Sequence, residues 1–228
     1  MKNRPILFSG PMVRAILGGR KTQTRRVVKC DLYDIERLAE PSEWNAGRAN
    51  PNMIPYENWG RKQGCGLFVS TDGTIFAMPC HYGAPGDRLW VRETWKTCAV
   101  YDSYAPSQID SGAALLWLAD NSKRINGPED WGKVRPSIYM TKWASRIVLE
   151  ITEIRVEPLQ DISRADAKAE GFWPSEYNGL ESFDGIPYGN ANLAFKACWE
   201  KINGKKHPWS SNPLVWVVEF KHDKCQTT

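Results

Sequence analysis

The chain of 228 residues carries 30 lysines and arginines against 26 aspartates and glutamates, a net charge of +4. With 42% apolar and 25% charged residues it has the composition of a soluble globular protein. That excludes wholesale disorder and a polybasic, histone-like chain, while leaving room for an anionic partner. No apolar run approaches the roughly 18 to 20 residues of a membrane-spanning helix. The basic start Met1-Lys2-Asn3-Arg4 is followed only by Pro5 to Phe8, too short for a secretory core. A cytoplasmic location with no membrane partner is expected.

In chain order, Pro5 to Phe8 is a short apolar strand candidate. Gly10-Pro11 opens a helix with proline in its first turn. Met12, Val13, Ile16 and Leu17 keep helical spacing, and Gly18-Gly19 ends it. From Thr22 to Val28 the chain alternates as a strand does. About 31–65 is rich in Pro, Asn, Gly and charge, and reads as an insertion with about one helical turn. Leu67-Phe68-Val69 and Ile75-Phe76-Ala77 form a hairpin about Thr71-Asp72-Gly73. Pro85-Gly86-Asp87 turns into a strand from Arg88 to Thr94. A second insertion covers about 98–136, with Ala113 to Leu118 its only compact apolar piece.

Ser145 to Glu157 predicts the longest strand. Ile147, Leu149 and Ile151 share one parity and Ile154 and Val156 the other, so a β-bulge is expected near Thr152-Glu153. Ser163 caps a short helix, with Asp166 completing a variant capping box; it runs to about Glu170, and Gly171 lies past its end. Phe172 to Gly189 reads as a loop. Asn190 caps a helix whose stripe is Ala191, Ala194, Phe195, Cys198, Trp199 and Ile202, ended by Asn203-Gly204. Leu214 to Val218 reads as a strand buried on both faces, finished by Glu219 to Lys221. Strands dominate and no βαβ repeat occurs. The pattern predicts an α+β, β-dominated fold: a small, mostly antiparallel barrel with flanking helices, one domain over 1–228 with two insertions.

The six cysteines form no C-x-x-C pair, and their spacing suggests no disulfide framework. Reduced thiols are expected. Cys80-His81 is far from a zinc signature. The eleven tryptophans read first as packing; the sharper reading stacks one or two of them on a planar ligand such as a base.

Two features point to chemistry. Arg20, Lys21, Arg25 and Arg26 place four positive charges in seven residues, with Thr22 and Thr24 between them. The plain reading is a solvated basic turn that binds phosphate. The chemical reading is that a lysine crowded by cations or desolvated loses its proton more readily and can activate a nearby hydroxyl. Lys21 and Thr24 are three apart, which on a flat strand sets them on opposite faces. The pair therefore requires Lys21 to sit in the turn after Gly18-Gly19 and its long stem to reach back to Thr24. The second feature is Glu170, in the last turn of its helix, where the helix dipole disfavours an anion.

The run Ala15-Ile16-Leu17-Gly18-Gly19-Arg20-Lys21-Thr22-Gln23-Thr24-Arg25-Arg26 resembles the opening motif of ASCH-domain proteins, which have a PUA-like barrel. It looks closest to the small bacterial N4-acetylcytidine amidohydrolases and to longer ASCH proteins of phages and prophages. Gly86 to Val91, Ile147 to Glu157, Leu159 to Glu170 and Trp216 to Lys221 resemble later pieces of the family in order. Together these cover roughly half the chain; the insertions have no counterpart in the short enzymes. The resemblance implies that Lys21, Thr24 and Glu170 are catalytic, with Arg26, Phe8 and Ser9 as substrate-binding residues. It implies hydrolysis of the acyl amide on the exocyclic nitrogen of cytidine or cytosine, with no metal and no cofactor. Thr24 as nucleophile and water as nucleophile are equally consistent with the sequence.

Two alternatives stand beside this reading. A PUA-like barrel with a basic strand and many aromatics suits RNA binding without catalysis, and some ASCH proteins are ribonucleases. A zinc cytidine deaminase is excluded, since the chain lacks H-x-E and P-C-x-x-C. A serine hydrolase of the G-x-S-x-G type is excluded by the absence of that elbow. The sequence leaves the oligomeric state open.

Overall fold

A computed structural model of the chain describes residues 1–28, 54–55, 65–69, 75–124, 130–172, 181–183, 186–188 and 190–222. Most of the first insertion, including its expected helical turn, lies outside the described residues. So does the turn of the hairpin that follows it. The elements run β1 (Asn3–Leu7), α1 (Gly10–Leu17), β2 (Gln23–Val27), β3 (Ile54–Pro55), β4 (Cys65–Val69), β5 (Ile75–Pro79), β6 (Arg88–Arg92), β7 (Trp95–Thr97), β8 (Leu115–Trp117) and β9 (Ser122–Arg124). They continue with β10 (Val148–Pro158), α2 (Arg164–Ala169), β11 (Glu181–Phe183), β12 (Ile186–Tyr188), α3 (Ala191–Asn203) and β13 (Leu214–His222). The fold is α+β and strand-rich, with one mixed sheet, antiparallel sheets and few helices.

The largest sheet has the order β1-β6-β10-β13-β2. Among the described residues this sheet does not close into a barrel: β1 and β2 stand at its opposite edges. The sheet is mostly antiparallel, as expected, but β1 pairs with β6 in parallel, Asn3 opposite Arg88 and Leu7 opposite Arg92. The reason is the connection. β1 is followed by a helix that carries the chain to the far edge, so no hairpin dictates the direction of β1's neighbour.

One apolar core covers each face of this sheet. Val13 and Ile16 of α1 pack with Ile6, Phe8, Leu89, Val91, Ile147, Leu149, Ile151, Ile154, Trp216, Val218 and Phe220. The other core joins Val215 and Val217 to Ala167 of α2 and to Ala194, Phe195, Cys198 and Trp199 of α3. β13 therefore alternates between two buried faces, as its unbroken apolar run predicts. The expected bulge is present: Ile151 pairs with Phe220 and Glu153 with Glu219, leaving Thr152 as the extra residue. That residue returns Ile154 to the core face that Ile147, Leu149 and Ile151 occupy.

Three local expectations change. The α3 stripe ends a turn early: Ile202 is 53% exposed, because the core closes at Trp199, whose indole N–H donates to His207 O at 2.8 Å. The expected loop after Phe172 contains the antiparallel ribbon β11–β12. The strand from Arg88 ends at Arg92, and β7 then begins a separate sheet, β7-β8-β9, that includes the apolar piece of the second insertion. That sheet has its own core of Trp95, Ile109, Ala113, Leu115, Trp117, Met140 and Ala144.

Candidate active site

The site begins where α1 stops. Gly19 has φ +70°, a left-handed conformation that glycine adopts without strain. It folds the chain back, so that Arg20 N and Lys21 N both donate to Ala15 O, at 2.8 and 3.0 Å. Lys21 thus lies in the turn before β2, which meets the first part of the geometric condition; its Nζ is directed to Gln23 and Glu170. Its backbone forms an isolated antiparallel bridge with Glu170, and Thr22 N donates to Ala169 O at 2.8 Å.

Glu170 is placed by α2. Ser163 Oγ accepts from Asp166 N at 3.0 Å, and Asp166 Oδ2 accepts from Ser163 N at 3.2 Å, a closed capping box. The helix is six residues long and ends with Glu170 as its C-cap. Gly171 follows at φ +101°, and a Cβ there would stand 3.1 Å from Ala15 Cβ and 3.4 Å from Lys21 Cβ. Only glycine lets α2 end this close to the Lys21 turn.

The two side chains meet. Lys21 Nζ donates to Glu170 Oε2 at 2.6 Å, Glu170 O at 2.9 Å and Gln23 O at 2.8 Å. Three oxygens around one nitrogen match the three donors of an ammonium. Lys21 is 2% exposed and Glu170 4%. Burial drives the lysine below its ordinary 10.5, against the opposing pull of the Glu170 charge and hydrogen bond. The second carboxylate oxygen, Oε1, is buried without a hydrogen-bond partner; Arg25 Nη1 stands 3.5 Å from it. Cys198 of α3 stands behind the pair, its thiol pushed up to about 12, first by burial and with Glu170 also raising it.

The other expected residues are placed as follows. Thr24 is buried in β2, opposite Val218 of β13, with the strand parity of Arg26 and Val28. Arg26 donates from Nη2 to Leu7 O at 2.7 Å, and its guanidinium lies 5.4 Å from the centre of the Phe8 ring. Lys21 Nζ lies 5.5 Å from the same ring. Phe8 is 4% exposed and tilted against Phe220; its ring underlies the two cations. Ser9 is the exposed N-cap residue of α1, with no capping bond from its side chain. Lys21 and Glu170 are thus brought together, with Phe8 and Arg26 alongside. Thr24 lies in β2 with Arg26, and Ser9 lies at the far end of α1 from the Lys21 turn.

Sequence reasoning gave Arg25 no role, yet its Nε donates to Glu157 Oε1 at 3.1 Å and its Nη2 to the same oxygen. Tyr82 was also missed; its phenol is pushed up, chiefly by burial, and feels the Arg26 charge. No described tryptophan belongs to the site. Six carry a cation instead: Arg92 on Trp90, Arg135 on Trp95, Arg146 on Trp117, Lys123 on Trp131, Arg124 on Trp143 and Lys196 on Trp209. Compared with protein-family models, with curated proteins and with solved structures, the chain matches none of them.

Proposed function

We propose that the protein is an amidohydrolase that cleaves the N4-acyl amide of acylated cytidine or cytosine, releasing the amine and a carboxylate through Lys21, Thr24 and Glu170 without a metal or cofactor. The observation that carries this reading is the buried contact of Lys21 Nζ with Glu170 Oε2 at 2.6 Å between residues 149 apart in the chain. The unpartnered Glu170 Oε1 beside it supports the reading further.

Amide hydrolysis needs one group to take a proton from the attacking oxygen and another to give a proton to the departing nitrogen. A lysine and a carboxylate sharing a proton can do both. Transfer from Nζ to Oε2 leaves a neutral amine and a carboxylic acid. Burial favours that step, because it penalises two charges more than two neutral groups. The amine then accepts the proton of the nucleophile, either the Thr24 hydroxyl or a water that Thr24 orients. The oxygen bonds to the acyl carbon, and Glu170 returns its proton to N4 as the C–N bond breaks. The pair ends as ammonium and carboxylate. If Thr24 attacks, water removes the acyl group from it in a second step. Arg26 offers a cation and Ser9 an exposed hydroxyl for substrate binding.

We also propose that the five-stranded sheet is part of a PUA-like barrel; the support is its mostly antiparallel, strand-rich make-up, with α1 linking the two edge strands in the chain. The functional reading is tested by acetate release from N4-acetylcytidine. Lys21→Ala and Glu170→Gln should each lose about 10³-fold or more of kcat while keeping the far-ultraviolet circular dichroism of the parent. Near-parental turnover by either variant sinks the reading. A protein that holds RNA but releases no acetate supports the RNA-binding alternative.

A further inference from the structure

The side chain of Arg25 is wholly buried, and it points to the face of β2 opposite Phe8. There Glu157 accepts from it, Asp166 Oδ2 stands 3.5 Å from Nη2, and the Phe195 ring centre is 5.8 Å from its guanidinium carbon. Its Nη1 stands 3.5 Å from Glu170 Oε1. Both of those atoms are buried, and neither makes a hydrogen bond. A guanidinium at that range attracts the carboxylate without occupying the lone pairs of Oε1.

Burying an arginine among carboxylates is poor evidence of stabilisation, since desolvation offsets most of the attraction. A site-directed role accounts for it better. We propose that Arg25 is a positioning residue for Glu170: Lys21 fixes Oε2, Arg25 fixes the direction of Oε1, and Oε1 stays free to accept a hydrogen bond from the N4–H of the substrate. The proposal rests on the amidohydrolase reading for its chemistry, but its geometry can be tested apart from it.

Arg155 is the internal control. It pairs with Glu157, Asp166 and Glu219 in the same ionic cluster and makes no ion pair with Glu170. If the cluster only holds the fold together, Arg25→Gln and Arg155→Gln should behave alike. If Arg25 positions Glu170, only Arg25→Gln loses kcat on N4-acetylcytidine, by about 10- to 100-fold, with KM changed less than about threefold. Arg25→Lys, which keeps the charge, should recover part of that loss. Equal kcat losses in the two glutamine variants, or none in Arg25→Gln, overturn the proposal. The crystal structure of Arg25→Gln reads the geometry without substrate. A Glu170 carboxylate that swings or splits into two conformers supports the proposal; one unmoved to within about 0.5 Å overturns it. Should the parent release no acetate, the functional reading falls and the crystal structure alone decides the role of Arg25. Should Arg25→Gln fail to fold, Arg25→Lys decides it by the same kcat and crystallographic measures.

Discussion

A lysine can be buried at position 21 because every proton of its ammonium has an oxygen at hydrogen-bond distance: Gln23 O, Glu170 O and Glu170 Oε2. Removing the acceptor leaves a buried cation with a proton unsatisfied, which costs about 3 to 5 kcal/mol. Glu170→Gln keeps an oxygen in place and should cost less than Glu170→Ala in a urea melt; equal losses would contradict this account of the pair. The depressed lysine also predicts a pH effect. In the proposed reaction the amine works neutral, and burial lowers its pKa. Because Glu170 takes the proton it gives to N4 from Lys21, the pair must hold that one proton, so the rate of acyl release should fall as pH rises, along a limb below the 10.5 of an ordinary lysine; a limb centred at or above 10.5 would contradict it. At this scale the sequence was informative where chemistry is local. Gly18-Gly19 before Lys21, and a carboxylate at a helix end, are visible in a one-dimensional reading. Arg25 was not legible, because Glu157, Asp166 and Glu170 lie far from it in the chain and meet it only across the sheet. The tryptophans were legible as packing but not in their pairing, since the cations over their rings come mostly from other elements.

Among the elements, α2 does most to place the carboxylate, although it is only six residues long. Such a helix has little stability of its own. It relies on the Ser163–Asp166 box and on Ala167 in the core. Gly171 lets it end against α1. Gly171→Ala combines a strained φ with a Cβ 3.1 Å from Ala15 Cβ; a loss of about 1 to 3 kcal/mol in thermal or urea unfolding is expected, together with a fall in kcat. Unchanged stability would show that the two elements can part cheaply. The helix caps and the bulge were readable because each leaves a mark in neighbouring residues: Ser163 three before Asp166, and the phase slip at Thr152. The parallel pairing of β1 was not, because it follows from the path of α1 across the sheet. The exposure of Ile202 depends on where the core closes, which periodicity does not encode.

Across the whole molecule, the segment with its own small core is tied to the principal sheet by Arg146. Its Nε and Nη2 donate to the two oxygens of Glu93 at 2.8 and 2.9 Å, and Nη1 and Nη2 reach Asp120 at 3.0 Å. Burial pushes Asp120 up, but the bonds from Arg146 and Ser122 prevail and hold it down at about 2, against an ordinary 3.8. A carboxylate depressed on folding adds stability that is complete above 3.8 and disappears as pH falls towards 2. Acid unfolding of the parent should show an extra loss in that window. The curve of Asp120→Asn should lack that loss, and parallel curves would rule the tie out as a pH-dependent contribution. No helix among the described residues is long and apolar enough to cross a membrane.

The main-chain bonds of Thr22 have one more consequence. Its N–H donates to Ala169 O and its carbonyl accepts from Phe220 N, each at 2.8 Å. This riveted link joins the stretch bearing the amine both to the helix bearing the carboxylate and to β13 of the sheet. Parting the two reacting groups requires breaking the Thr22–Ala169 bond together with the Lys21–Glu170 contact. Heat should therefore leave no interval in which the molecule is intact yet idle, and its inactivation curve should overlay its unfolding curve.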